Sequence, residues 1–141
     1  MKLLILCTGN SCRSQMAHGF LQSFDKELEV HSAGTEAAGL VNPKAIEVME
    51  EAGVSIAHHH STPVSHYLSS SWDYVITVCG GAKESCPRFT GEVKHQLHFG
   101  FDDPSEAVGT PEFIHQEFLR VRDEIKEKFN WFYTTHLLKT K

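Results

Sequence analysis

The 141-residue sequence is short of positive charge: 13 Lys and Arg stand against 18 Asp and Glu, a net of -5, and no basic run breaks the pattern. Without such a run there is no electrostatic footprint for a nucleic acid or a membrane surface, and both are excluded as partners. Long hydrophobic runs are lacking too. The first apolar segment, Leu3 to Leu6, is too short for a signal h-region and passes into polar CTGNS, and no later stretch approaches membrane-spanning length. A cytoplasmic location is therefore expected, where four cysteines do not act as permanent staples but as metal ligands, redox-active thiols or buried residues. The sequence also lacks internal repeats, low-complexity tracts and any break in composition. With 40% hydrophobic residues, it predicts one domain over residues 1–141.

Within that domain, KLLIL (2–6) reads as a buried strand bounded by Thr8 and Gly9. Met16, Phe20, Leu21 and Phe24 then recur on one helical face. EVHSA (29–33) predicts a second strand, and Pro43 begins a helix PKAIEVMEEA that Gly53 ends. Thr62-Pro63 predicts a weaker helix through Leu68, and YVITV (74–78) is a strand running directly into Cys79. Residues 94–99 are an ambiguous strand. From Pro111, the residues Ile114, Phe118, Val121, Ile125, Phe129 and Phe132 form one long apolar stripe. Strands alternating with helices argue for an α/β fold with a mainly parallel sheet. His58, His59 and His60 could bind metal, but three adjacent side chains do not face one way on any regular element, so an exposed loop fits better.

The stretch CTGNSCRS (7–14) carries the chemistry. A loop of small residues between a strand end and a helix start turns backbone N–H groups inward, and the helix adds its positive end, making an oxyanion cradle from Thr8, Gly9, Asn10, Ser11, Cys12 and Arg13. Arg13 adds a bidentate clamp that lysine could not reproduce. The same field lowers the pKa of a thiol at its mouth, so Cys7, at the strand end, is expected to be a thiolate nucleophile, with the Ser14 hydroxyl donating to it. Cys12, beside Arg13 on the far side of the loop, is expected to pack outward as a small buried residue. Cys79 and Cys86 are seven positions apart. Were that stretch helical their Cα atoms would be about 10 Å apart, beyond the roughly 7 Å limit for a disulfide, so it must bend for them to join. Gly80-Gly81 supplies freedom through φ > 0. Asp103 precedes Pro104, which holds it extended; Asp-Asp-Pro equally suits a solvated turn.

CTGNSCRS followed by QMAHGF resembles the active-site loop of the low-molecular-weight tyrosine phosphatase superfamily, in its thioredoxin-coupled arsenate reductase branch. SAG (32–34), NPKAIE (42–47), VITVC (75–79), Cys86-Pro87, HFGFDDP (98–104) and RVRDEI (120–125) resemble that branch as well, so the likeness covers nearly the whole chain. It implies a three-layer α/β sandwich with a central four-stranded parallel sheet flanked by helices. It implies arsenate as substrate and no cofactor, with Cys7 forming the adduct and Cys79 attacking Cys7 to release arsenite. Cys86 then takes the disulfide to a loop where thioredoxin, or another dithiol reductant, reduces it. It also implies Asp103 as general acid, with Asp102 as the alternative.

Two other readings stand beside it. A phosphatase of the same superfamily would use Cys7, Arg13 and Asp103 alike, but such enzymes usually have proline where Gln15 stands and an aromatic residue where Ser105 stands. A zinc module on Cys7, Cys12, Cys79 and Cys86 has ligand spacings wider than usual. Related reductases bind potassium near the loop through residues matching Asn10 and Ser32 and through two acidic residues; here those acidic positions are His18 and Pro63.

Overall fold

The computed structural model describes residues 1–138. Its centre is a parallel sheet of four strands, β1 (Lys2–Cys7), β2 (Glu29–Gly34), β3 (Trp72–Thr77) and β4 (Val93–His98), in the order β2-β1-β3-β4. Helices α1 (Arg13–Phe24), α2 (Pro43–Glu51), α3 (Gly80–Glu84) and α4 (Pro111–Phe132) flank it, which makes the three-layer α/β sandwich. Leu3, Leu4, Ile5 and Leu6 of β1 are all fully buried. A central parallel strand is covered on both faces, and for that reason β1 reads as a continuous apolar run without alternation. β4 lies at the edge and is mostly exposed; Lys94 Nζ on it reaches Asp73 Oδ1 of β3 at 3.4 Å, a charged side chain of the kind that blunts sheet edges.

The apolar stripe of α4 buries Phe118, Val121, Ile125, Phe129 and Phe132, with Ile114 half-buried at its start. α4 packs on α1 and α2, and Arg122 Nη1 on α4 donates to the Val48 carbonyl of α2 at 3.0 Å. Asn42 caps α2 by accepting from the N–H groups of Lys44 and Ala45, Pro43 fills the first turn, and Gly53 closes it at φ +82°.

Three local expectations change. The segment after Pro63 is a single 3₁₀ turn, Val64–Tyr67, because Pro63 is extended and bridges to Gly34 of β2, leaving few residues before β3. β3 starts at Trp72, which is buried and pairs with Val93, and it stops at Thr77, so Val78 separates it from Cys79. Gly80 and Gly81 do not take positive φ. Gly81 is instead a point of close approach, since a Cβ there would lie 2.7 Å from Thr8 Oγ1.

The fold places the 7–13 loop at the C-terminal end of the sheet, resting on the end of β2, where Cys7 pairs with Gly34. A Cβ on Gly34 would stand 2.5 Å from the Thr8 carbonyl oxygen and 3.0 Å from the Asn10 nitrogen, against backbone that cannot give way. Gly34→Ala is expected to cost about 1–3 kcal/mol of stability and to weaken phosphate binding, read by thermal unfolding and phosphate titration.

Candidate active site

Over residues 7–12 the backbone is turned so that its carbonyls point outward and each is satisfied. Cys7 O accepts from Thr35 N (3.1 Å), Thr8 O from Glu36 N (2.8 Å), Gly9 O from Ala38 N (2.8 Å), Ser11 O from Asn42 N (2.8 Å) and Cys12 O from Met16 N (3.0 Å). Asn10 O differs, accepting from the side-chain amide of Gln15 at 3.1 Å. Asn10 itself sits at φ +49°, a left-handed conformation that asparagine tolerates better than most residues. Its side chain is fully buried and satisfied on both ends, Nδ2 donating to Ser14 Oγ (2.8 Å) and Oδ1 accepting from Thr62 N (2.8 Å). α1 begins at Arg13 with no side-chain cap, which leaves its first N–H groups free for an anion.

Cys7, Thr8, Gly9, Ser11, Cys12, Arg13, Asp103 and Ser105 line a cavity of about 230 Å³. Arg13 reaches over it from α1: Nη1 donates to the Phe101 carbonyl at 3.0 Å, and Nη2 lies 3.5 Å from Asp103 Oδ2. Its Nε is buried without a partner, an unspent donor whose desolvation costs about 1–3 kcal/mol unless an acceptor meets it. Asp103 is extended before Pro104, and its Oδ1 accepts from both Ser105 N (3.0 Å) and Ser105 Oγ (2.6 Å). Asp102 points elsewhere, to Arg120 at 3.2 Å. Sequence reasoning missed the Ser105 contact, although an Asp-Pro-Ser turn carries its signature. Cys12 is buried and also lines the cavity, so it is not on an outer face; burial and then the nearby Asp103 push its thiol up to about 12.

The Cys7 and Cys79 side chains are hydrogen-bonded to each other. That shared proton, with burial, pushes the Cys7 thiol up, against the pull of Arg13. Cys79 is held well down, first by the bond from Cys7, then by the Thr8 hydroxyl (3.3 Å), the Ala82 N–H (3.4 Å) and Arg13, all outweighing its own burial. In this arrangement the two thiols compete for one proton, Cys7 pushed up and Cys79 pulled down, so the thiolate expected at Cys7 is shared with Cys79. Ser14 is corrected as well. Its hydroxyl oxygen accepts from Asn10, and no bond to Cys7 forms. All four cysteines are free. Cys79 caps α3, and Cys86 lies beyond its end, half-buried, with burial pushing its thiol up. Cys79 and Cys86 thus stand at opposite ends of α3.

The potassium ligands implied by resemblance do not fit this chain. His18 Nδ1 is bonded to Ser32 Oγ at 2.9 Å, and Asn10 Oδ1 is taken by Thr62 N. The His18 ring stacks on His59 at 4.2 Å, and its charge is suppressed, by burial first and by His59 next, down to about 3; His59 is lowered likewise to about 4. Two neutral imidazoles thus stand beside Ser32 and Gln15. Among the described residues no three cysteine sulfurs lie within 4.8 Å of one another, so the four-cysteine zinc set is not assembled; Glu47, Glu51 and His115 are the group that does converge, on the exposed faces of α2 and α4.

A family model for low molecular weight phosphotyrosine protein phosphatase matches residues 2–141. An arsenate reductase of Shouchella clausii is 46% identical over 134 residues, covering 94% of this chain and 95% of that one. An arsenate reductase solved in the phosphate-binding state superposes with a TM-score of 0.79 at 30% identity, covering 94% and 96% of the two chains. A Corynebacterium glutamicum thioredoxin-dependent arsenate reductase superposes with a TM-score of 0.68 at 26% identity, covering 98% of this chain and 62% of that one.

Replacing potassium by sodium at fixed ionic strength should leave Tm and KM unchanged; a potassium-specific rise in Tm would show that other oxygens complete a site. Acid should act through the two histidines. Their folded pKa values lie below the ordinary value near 6.5, so the unfolded chain binds more protons, and stability falls as pH drops from about 6.5 towards 4. Urea unfolding between pH 7 and pH 5 should show a shallower loss in His18→Gln than in the parent.

Proposed function

The chain belongs to the low molecular weight phosphotyrosine protein phosphatase family, and on that premise we propose that it is an arsenate reductase acting as one domain over residues 1–141. The observation that carries this reading is the second thiol: Cys79 stands beside Cys7 at the cradle floor, its sulfur held by the Thr8 hydroxyl and the Ala82 N–H, with Cys86 one short helix away. Phosphoryl transfer needs one nucleophile, and a reduction needs an electron pair from thiols. Among the described residues no aromatic side chain lines the cavity, which suits an inorganic oxyanion better than an aryl phosphate.

Arsenate enters the cradle, its oxygens taken by the loop N–H groups and by Arg13, whose buried Nε gains an acceptor. Cys7 gives its proton across the hydrogen bond to Cys79 and attacks As(V). One oxygen leaves as water, protonated through Asp103, and a Cys7–arsenic bond forms. With Cys7 covalently engaged, Cys79 passes its proton to an oxygen of the bound arsenic group and returns to thiolate, favoured by Thr8, Ala82 N–H and Arg13. It attacks the Cys7 sulfur, and the S–As electron pair stays with arsenic. As(V) becomes As(III), arsenite departs, and a Cys7–Cys79 disulfide remains. Cys86 then attacks Cys79 as thiolate, its proton passing to the departing Cys7 sulfur, while α3 unwinds to let the two sulfurs meet. A dithiol of the thioredoxin type takes up the Cys79–Cys86 disulfide and is itself oxidised. The four free thiols suit a reducing, cytoplasmic setting. No helix among the described residues is long and apolar enough to cross a membrane.

The relay separates by mutation. Cys7→Ser should abolish arsenite production while phosphate still binds, and Cys12→Ser should keep most activity. Cys86→Ser should release about one arsenite per chain and stall with a Cys7–Cys79 disulfide, detected as a crosslinked peptide pair by mass spectrometry. Sustained thioredoxin-dependent turnover by Cys86→Ser would mean that the reductant attacks the earlier disulfide. No arsenite from the parent under thioredoxin and its reductase would overturn the whole reading.

A further inference from the structure

The histidine run 58–60 has no part in the relay, yet it reaches the cradle. Of the six outward carbonyls of residues 7–12, five accept a backbone N–H, and that of Asn10 is held by a side chain, Gln15. A trans peptide sets its C=O and N–H in opposite directions. Pinning the Asn10 carbonyl outward therefore aims the Ser11 N–H inward, towards the oxyanion.

Gln15 is fully buried, and its orientation is determined by what surrounds it. Two acceptors, Asn10 O (3.1 Å) and His60 O (2.9 Å), demand the NH₂ on their side. The amide oxygen is then left facing His59 Nδ1 at 2.9 Å, and that nitrogen must carry the hydrogen. The His59 ring is fixed in turn by its stack on His18, which Ser32 anchors.

We propose that His59 is a positioning residue for the oxyanion cradle: its Nδ1–H holds Gln15, Gln15 holds the Asn10 carbonyl, and the Asn10–Ser11 peptide is thereby kept in the orientation that presents Ser11 N–H to the substrate. Without the His59 donor, the buried Gln15 oxygen is left unsatisfied and the amide rotates in search of a partner. The Asn10 carbonyl then loses its prop, and Asn10, in a left-handed conformation, is free to flip its peptide.

The inference rests on the cradle being the oxyanion site, and inorganic phosphate serves as a probe that needs no turnover. His59→Ala should weaken phosphate binding about tenfold, the scale of one hydrogen bond to a charged group. It should raise KM for arsenate by a similar factor, with kcat changed less than about twofold because the thiols are untouched. His59→Asn, whose side-chain N–H can stand where Nδ1–H stood, should restore phosphate affinity to near the parent value; His59→Gln, which carries its amide further out, should not. Parent-like affinity in His59→Ala, or equal weakness in His59→Asn and His59→Ala, would overturn the proposal. Should His59→Ala fail to fold, the Asn and Gln variants decide it, equal affinity for phosphate counting against. A parent that binds phosphate but reduces no arsenate would defeat the reductase reading and leave this comparison intact.

Discussion

The site depends on one inversion of backbone polarity. Over residues 7–12 the chain directs its carbonyls away from the cavity, so that N–H groups can face it, and each carbonyl turned out must find a donor or be buried unsatisfied at about 1–3 kcal/mol. The donors come from several parts of the fold: the segment after β2 supplies Thr35, Glu36 and Ala38, the start of α2 supplies Asn42, and α1 supplies Met16 and Gln15. The sheet, the helix order and the close approach at Gly34 serve this arrangement, since each places one of those donors.

The positive ring created in this way has more than one claimant for its charge. Arg13 is shared between Asp103, the Phe101 carbonyl and the thiol pair, whose members are pushed in opposite directions, Cys7 up and Cys79 down. In the proposed reaction an incoming oxyanion takes over Arg13 Nε, which has no partner to give up, while the thiolate character passes between two adjacent sulfurs as each is needed. A nucleophile whose proton has a neighbouring acceptor is ready without being permanently charged.

Beneath the cradle the polar layer is completed by neutral groups. Asn10, Ser14 and Gln15 are fully buried and bonded to one another or to the 60–62 segment, and His18 and His59 close the layer as a stacked pair. Two imidazoles kept uncharged by burial satisfy hydrogen bonds in this layer.

Much was legible from residue order alone. The covered strand β1, the amphipathic stripe of α4, the Asn42-Pro43 start of α2 and the cradle CTGNSCRS are local patterns, and local patterns depend only on neighbours in the chain. The role of Asn10 as the left-handed residue and the pairing of Arg13 with Asp103 lie between, since residue type permits them and the fold brings them about. What only the tertiary structure decided is which distant groups meet. Cys79 lies against Cys7 and Thr8, 72 and 71 positions away, and competes for the charge that the loop sequence alone assigns to Cys7. Gly81 is small because Thr8 approaches it, not because its backbone needs φ > 0. His59 faces Gln15 across 44 positions. Proton sharing, close approach and tautomer choice depend on distances of a few ångströms between remote residues, and such distances exist only once the sheet has brought its loops together.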